Sequence, residues 1–241
     1  MSGKIEELKS IINDSSDIVF FGGAGVSTES GIPDFRSSSG IYNMKGQVIP
    51  PEEIVSHGFF MEHTREFYDF YKKHLVYPDA EPNKAHKALA KLEADGKLSA
   101  VITQNIDGLH QKAGSKNVIE LHGSVYRNYC LECGKSCTLE SVLAADGIPR
   151  CSCGGIIRPD VVLYEEQLDN NVILSAISAI RSADTLIIGG TSLAVYPAAG
   201  LISYFSGSKT VVINKSPTPA DKNADLVISG SIGEILSVAV E

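Results

Sequence analysis

Residues 18–36 read IVFFGGAGVSTESGIPDFR, and no other stretch limits the fold so tightly. Ile18, Val19, Phe20 and Phe21 form a short apolar run of the kind that is buried on both faces of a parallel sheet. Gly22, Gly23 and Gly25 follow, with only Ala24 among them. A strand that runs into small residues and then a helix start brings backbone N–H groups close to an anion, so the functional expectation is a phosphate-binding turn. The motif is partial, because Thr28 stands where the third glycine of G-x-G-x-x-G belongs. A tight strand-to-helix turn without a ligand fits the same residues. Downstream, Gly31-Ile32-Pro33 interrupts any helix, so a loop leaves the sheet and ends in Phe35 beside Arg36. An aromatic ring next to a guanidinium suits covering a heterocycle and holding negative charge.

The rest of the chain alternates strands and helices. Ile5, Leu8, Ile11 and Ile12 recur at helical spacing and predict a first helix over 4–14. Strands are expected at 17–21, 98–103, 118–121, 160–164, 185–188, 209–214 and 225–228. Helices are expected from 82–83 to a stop at Gly96, and over 168–181, 197–204 and 232–238. Residues 37–81 carry many aromatics, among them Phe59, Phe60, Phe67, Tyr68, Phe70 and Tyr71, in helical pieces. They fit either a helical layer packed on the sheet or a module lining a cleft. Alternation of this kind, with apolar β-branched strands, means a parallel sheet covered on both faces. The glycine turn after the first strand makes it α/β of the doubly wound, Rossmann-like type.

Composition narrows the function classes. Lys and Arg number 21 against 29 Asp and Glu, a formal net charge of −8, which is a poor match to the basic face that nucleic-acid binding needs. Residues 185–208 are uncharged, but Gly189-Gly190, Thr191, Ser192 and Pro197 break them into strand, loop and helix, so no membrane span is expected. Met1-Ser2-Gly3-Lys4 leads into a charged amphipathic segment with no apolar signal core. A cytoplasmic protein is expected.

Four of the five cysteines fall in two tight pairs, Cys130-x-x-Cys133 and Cys151-x-Cys153, with 17 residues between Cys133 and Cys151. Four thiolates on two short turns suit a closed tetrahedral structural zinc site. Residues 134–150 are polar and have little to bury, so a metal staple would explain their folding. Cys137 is an alternative ligand; the favoured set is Cys130, Cys133, Cys151 and Cys153.

Gln104-Asn105-Ile106-Asp107 follows directly on the strand 98–103, and His122 follows the strand 118–121. Residues just past the carboxyl ends of parallel strands line the ligand crevice. An amide pair, a carboxylate and an imidazole there make a plausible reaction site. His57, His63, His74, His86 and His110 lack such a placement and read as structural.

Taken together, GAGVSTESGIPDFR at 23–36, TQNIDGLHQKAG at 103–114, ELHGS at 120–124, the cysteine pairs, IIRPDVVLYEE at 156–166, GGTSLAVYPA at 189–198 and VVINK at 211–215 resemble the sirtuins, the NAD-dependent protein lysine deacylases. The resemblance implies a discontinuous Rossmann-like NAD-binding domain at 1–36, 82–121 and 160–241. It also implies a smaller domain built from a helical module at 37–81 and a zinc-binding module at 122–159. NAD and acyl-lysine would enter the cleft between them, with nicotinamide and O-acetyl-ADP-ribose as products of a transferase reaction. Carried onto this sequence, Ala24, Thr28 and Arg36 become NAD contacts, and Phe35 the ring that shields the nicotinamide side. Gln104, Asn105, Ile106 and Asp107 become the nicotinamide pocket and ribose contacts. Thr191, Ser192 and Asn214 become phosphate and adenosine-ribose contacts, and Ile232 an adenine contact through its backbone. His122 becomes the base for a ribose hydroxyl, with Asn105 beside it. Val161, Val162, Leu163 and Tyr164 would pair with the substrate peptide by strand addition.

The chain also departs from the family pattern at two places. Tyr164-Glu165-Glu166 stands where the family often has Phe-Gly-Glu. Tyr71 occupies the position at which succinyl-preferring members carry an arginine, three residues after a tyrosine matched here by Tyr68. Poor desuccinylation is therefore expected, because a buried carboxylate would lack its cation. Three rival functions remain at this point: protein mono-ADP-ribosyl transfer from the same NAD site, a nucleic-acid-binding zinc module, and a dehydrogenase.

Overall fold

The computed structural model describes residues 2–38, 40–43 and 48–240. Among them the strands are β1 (Ile18–Gly22), β2 (Leu98–Thr103), β3 (Val118–Glu120), β4 (Gly123–Cys130), β5 (Ser136–Cys137), β6 (Ile157–Val161), β7 (Thr185–Gly189), β8 (Lys209–Asn214) and β9 (Leu226–Ser229). The α-helices are α1 (Ser2–Asp14), α2 (Pro51–Ile54), α3 (His57–Glu62), α4 (Thr64–His74), α5 (Lys84–Ala94), α6 (Leu109–Ala113), α7 (Leu139–Leu143), α8 (Asn170–Ser182) and α9 (Ile232–Ala239).

Strand β1 pairs in parallel with both β2 and β7, and the large sheet runs β3-β2-β1-β7-β8-β9. Numbering these six strands among themselves gives 3-2-1-4-5-6, the Rossmann order. Alternation along β1 sends Phe20 and Phe21 to opposite faces, both fully buried. Phe20 packs with Leu8, Leu89, Ile187 and Leu236 under α1, α5 and α9. Phe21 joins Ile102, Ile180, Ile188 and Leu201 on the α8 side. Order reverses between β1 and β7, which opens a crevice outside their carboxyl ends.

A second sheet, β5-β4-β6, is antiparallel. It shares one core with α2, α3 and α4: Phe60, Phe67, Tyr68 and Tyr71 meet Val125, Leu139, Ile157 and Val161. Phe60 and Phe67 stand edge-to-face at 5.0 Å, and Phe67 stacks on Tyr71 at 5.6 Å. The aromatic run 59–71 thus does pack as a helical layer, but against the small sheet and not the large one.

Three expectations need correction. Residues 160–164 are expected as a strand of the parallel sheet, yet the strand is β6, three residues earlier and antiparallel to β4. Val162 N–H still follows the pairing with β4, donating to His122 O at 3.0 Å, but Tyr164 N–H turns away to Val55 O at 3.1 Å. The glycine turn leads not into an α-helix but into two single 3-10 turns, Ala24–Val26 and Thr28–Ser30. The reason is close approach: Gly25 N–H donates to Gly190 O at 2.8 Å, and a Cβ at Gly25 would stand 2.8 Å from Gly190 Cα. The helix expected at 197–204 is likewise 3-10, over Ala198–Tyr204. None of the helices among the described residues is long and apolar enough to cross a membrane.

Candidate active site

The crevice at the switch between β1 and β7 gathers polar groups from four strand ends. Gln104 N–H continues the β1–β2 ladder by donating to Gly22 O at 3.0 Å. Its side-chain amide donates to Thr191 Oγ1 at 3.1 Å, linking the ends of β2 and β7. Asn105 Nδ2 donates to Gly23 O and to Ser27 Oγ, both at 3.1 Å. Ser27 Oγ in turn donates to Asp107 Oδ2 at 2.6 Å, and Leu109 N–H donates to Asp107 Oδ1 at 2.9 Å. Burial pushes the Asp107 carboxyl above its usual range, while the Ser27 and Leu109 donors pull it back. The result is a rigid amide–hydroxyl–carboxylate chain lying under the first loop.

His122 closes the site. Its Nδ1 lies 2.8 Å from Gln104 O. A carbonyl only accepts, so Nδ1 carries the proton and Nε2 keeps its lone pair. Burial lowers the imidazole below its ordinary value, and the Gln104 hydrogen bond partly offsets this. A neutral ring with one oriented basic nitrogen is what abstraction of a hydroxyl proton requires. Gly123 makes this arrangement possible: it sits at φ 77°, and a Cβ there would collide with Asp160 O.

The other expected contacts spread around the crevice. Ala24 and Thr28 lie in the two 3-10 turns, with Thr28 Oγ1 donating to Gly25 O at 3.0 Å. Phe35 is half-buried against Tyr42, ring centroids 5.3 Å apart, and the exposed Arg36 guanidinium lies 5.3 Å from the same Tyr42 ring. Ile106 packs at the margin of the aromatic core. Ser192 is exposed just past Thr191, which is 7% exposed. Asn214 ends β8 and donates to Ser216 O at 2.8 Å. Ile232 begins α9 and is buried, its side chain in the core under the large sheet. Val161 and Leu163 are buried, whereas Val162 and Tyr164 are half-exposed.

Away from the crevice, the Sγ atoms of Cys130, Cys133, Cys151 and Cys153 all lie within 4.8 Å of one another. Cys130 and Cys153 are 3.5 Å apart, and Cys133 and Cys151 3.8 Å. A tetrahedral zinc with bonds of about 2.3 Å needs sulfur–sulfur edges of roughly 3.8 Å, so the four thiols fit the ion. Cys137 lies outside this set and contacts Lys135 O instead.

A model of the Sir2 family matches residues 23–197. This chain is a member of the Sir2 family. It is 62% identical over 244 residues to an NAD-dependent protein deacetylase of Clostridium perfringens, covering 100% of each chain. Identity is 60% over 240 residues to the NAD-dependent protein deacetylase of Clostridium acetobutylicum, covering 98% of each. A solved Sir2 complex with deacetylated p53 peptide and 3′-O-acetyl ADP ribose superposes with a TM-score of 0.90 at 40% identity, covering 98% of this chain and 99% of that one. A Sir2–p53 peptide–NAD+ complex gives a TM-score of 0.85 at 42% identity, covering 96% and 95%.

Sequence reasoning on this Sir2 protein misses Ser27, although it joins Asn105 to Asp107 across 78 and 80 positions. A serine two residues past Gly25 carries no signal by itself. In the sequence Tyr42 is only one aromatic in a run of many, yet its hydroxyl meets that of Tyr164 at 2.7 Å. Tyr68 and Tyr71 are fully buried in the aromatic core, where the Tyr68 hydroxyl donates to Ile157 O.

Proposed function

We propose that this Sir2 family member is an NAD-dependent protein lysine deacetylase that moves the acetyl group of acetyl-lysine to ADP-ribose. NAD supplies an electrophilic anomeric carbon and a good leaving group, nicotinamide. The chain's own residues do the rest. Asn105 and Asp107, locked through Ser27, hold the carboxamide end of the dinucleotide. Phe35 and Arg36 cover the reacting sugar and exclude water. Once the acyl oxygen of the bound acetyl-lysine has displaced nicotinamide, His122 Nε2 takes a proton from a ribose hydroxyl, whose oxygen attacks the acyl carbon; water then releases the free lysine amine and leaves the acetyl group on ADP-ribose. Thr28, Ala24, Thr191, Ser192, Asn214 and the backbone of Ile232 bind the phosphates and the adenosine. Residues 161–164 receive the extended peptide alongside them; the N–H groups of Val162, Leu163 and Tyr164 already have partners within the chain, so carbonyls and side chains make the contact. Zinc on the four cysteines is structural, since four thiolates leave no open coordination position.

The carrying observation is the 2.8 Å contact of His122 Nδ1 with Gln104 O, which assigns the ring proton to Nδ1 and leaves the Nε2 lone pair for a hydroxyl proton. It favours deacylation over mono-ADP-ribosyl transfer from the same site, which needs no such base. We also propose the division into a discontinuous domain at 1–36, 82–121 and 160–241 and a smaller one from 37–81 and 122–159. The shared core of α2–α4 with the small sheet supports it. Substrates are acetylated lysines in proteins; the net charge of −8 argues against nucleic acid as a partner, and a thiolate site fits a reducing cytoplasm. Neutral acyl groups are preferred, because Tyr71 offers no cation to a succinyl carboxylate.

The test is incubation with NAD and an acetyl-lysine peptide, followed by mass analysis. Wild type releases nicotinamide and O-acetyl-ADP-ribose, and His122→Ala loses about 10²- to 10⁴-fold in rate. Nicotinamide release with ADP-ribose left on protein, unchanged in His122→Ala, would establish the transferase alternative.

A further inference from the structure

The segment Tyr164-Glu165-Glu166 grips three separate elements with three successive side chains. Glu166 receives Arg158 through both carboxylate oxygens at 2.6 Å and His57 Nδ1 at 2.7 Å. Glu165 adopts φ 74°, a left-handed conformation that favours glycine, and its carboxylate accepts Gly58 N–H at 2.9 Å, at the start of α3. The backbone of Tyr164 is tied on both sides: its N–H donates to Val55 O at 3.1 Å and its carbonyl accepts His57 N–H at 3.0 Å. The end of the peptide-receiving segment is therefore fixed, and the Tyr164 side chain leaves it in a set direction.

That side chain reaches the loop over the crevice. The Tyr164 and Tyr42 hydroxyls share a hydrogen bond of 2.7 Å. Tyr42 is bound in turn to the residues that would cover the sugar. Its N–H donates to Phe35 O at 2.9 Å, its ring packs on Phe35, and the Arg36 guanidinium lies over its face. A phenylalanine at position 164 would fill the same space with no hydroxyl to complete this chain.

We propose that Tyr164 is a positioning residue whose hydroxyl, through Tyr42, holds the Phe35–Arg36 loop over the dinucleotide when an acyl-peptide lies on residues 161–164. This rests on the deacetylase reading above. The physical link is water. Both tyrosines are half-buried, so solvent competes for their hydroxyls; a peptide laid beside Tyr164 removes that solvent and strengthens the bond. Burial and the Tyr164 hydroxyl both push the Tyr42 phenol well above its usual range, so it stays a neutral donor near neutral pH. Peptide and dinucleotide then bind with positive, reciprocal coupling.

The experiment measures ADP-ribose affinity by calorimetry, with and without a saturating acetyl-lysine peptide, in wild type, Tyr164→Phe, Tyr42→Phe and the double variant. ADP-ribose is the probe because it cannot react with the peptide. Peptide is expected to tighten ADP-ribose binding in wild type. Either single variant should lose about 3- to 10-fold of that gain, the equivalent of one net hydrogen bond. The double variant should lose no more than a single one, KM for NAD should rise by more than kcat falls, and thermal unfolding should stay put. Coupling that is equal in wild type and Tyr164→Phe, or losses that simply add in the double variant, would overturn the proposal. A wild type that binds neither ligand would sink the deacetylase reading itself, a result distinct from lost coupling.

Discussion

The two sheets are held by different physics. The six-stranded sheet is sealed on both faces by apolar side chains, with Phe20 and Phe21 each fully buried. The three-stranded sheet has one good face only, packed on the aromatic helices, and its far end carries exposed Cys133 and Cys153. Its closure there depends on four thiolates and an ion. His122 sits on the seam: it follows β3 of the large sheet and immediately precedes β4, whose last residue is the zinc ligand Cys130. A site built on such a seam inherits rigidity from one side and metal dependence from the other.

The largest expected effect comes from removing the metal ligands. Structural zinc contributes on the order of 10 kcal/mol of apparent binding energy, so Cys151→Ala or chelation should unfold β4–β6. Hydrogen exchange would read lost protection at 123–161 with protection kept in β1, β2 and β7, and deacetylation should vanish because Val162 no longer anchors to His122 O. Retained protection in the small sheet would break the contrast between the two sheets. Next is Phe20→Ala, expected to cost about 3–5 kcal/mol in denaturant unfolding and to lower protection throughout the large sheet.

Acid should act on the large-sheet side through His86 and His110. Both are buried, with rings 4.7 Å apart, and burial lowers them to about 4 and about 3. The unfolded chain protonates both near pH 6.5 while the native state does not. Their stability contribution is therefore whole above that pH and falls as the pH drops towards 4 and then 3, by up to about 1.4 kcal/mol per pH unit for each ring. A denaturation midpoint that stays flat between pH 6.5 and 5 would show that the pair is not kept neutral. The smallest effect is expected from Tyr68→Phe. Deleting the hydroxyl that serves Ile157 O should cost about 1 kcal/mol in denaturant unfolding of the small region.

Much of the large sheet is legible because β1, β7 and β8 are largely apolar runs that end in glycine or asparagine. β2 and β8 match their sequence-based bounds in full. The small sheet is not legible in this way. In β4, GSVYRNYC mixes polar and apolar residues, half of them only partly buried or exposed, so no period of two emerges. The 160–164 segment looks like a buried strand because Val161, Val162 and Leu163 are apolar, yet Glu165 and Glu166 bind it to α3 and Arg158 instead. The site divides in the same way. His122 and the 104–107 run are marked by following strands, whereas Ser27 and Tyr42 acquire meaning only from partners far along the chain.

By itself the sequence determined the alternation of strand and helix, the glycine turn and the four thiols, because each rests on residue type and short spacing. The three-dimensional structure alone decided which nitrogen of His122 keeps its lone pair, which hydroxyl links Asn105 to Asp107, and that Tyr164 meets Tyr42. Those are hydrogen bonds between residues 18 to 122 positions apart, and a hydrogen bond is set by distance and direction in space, neither of which local sequence carries.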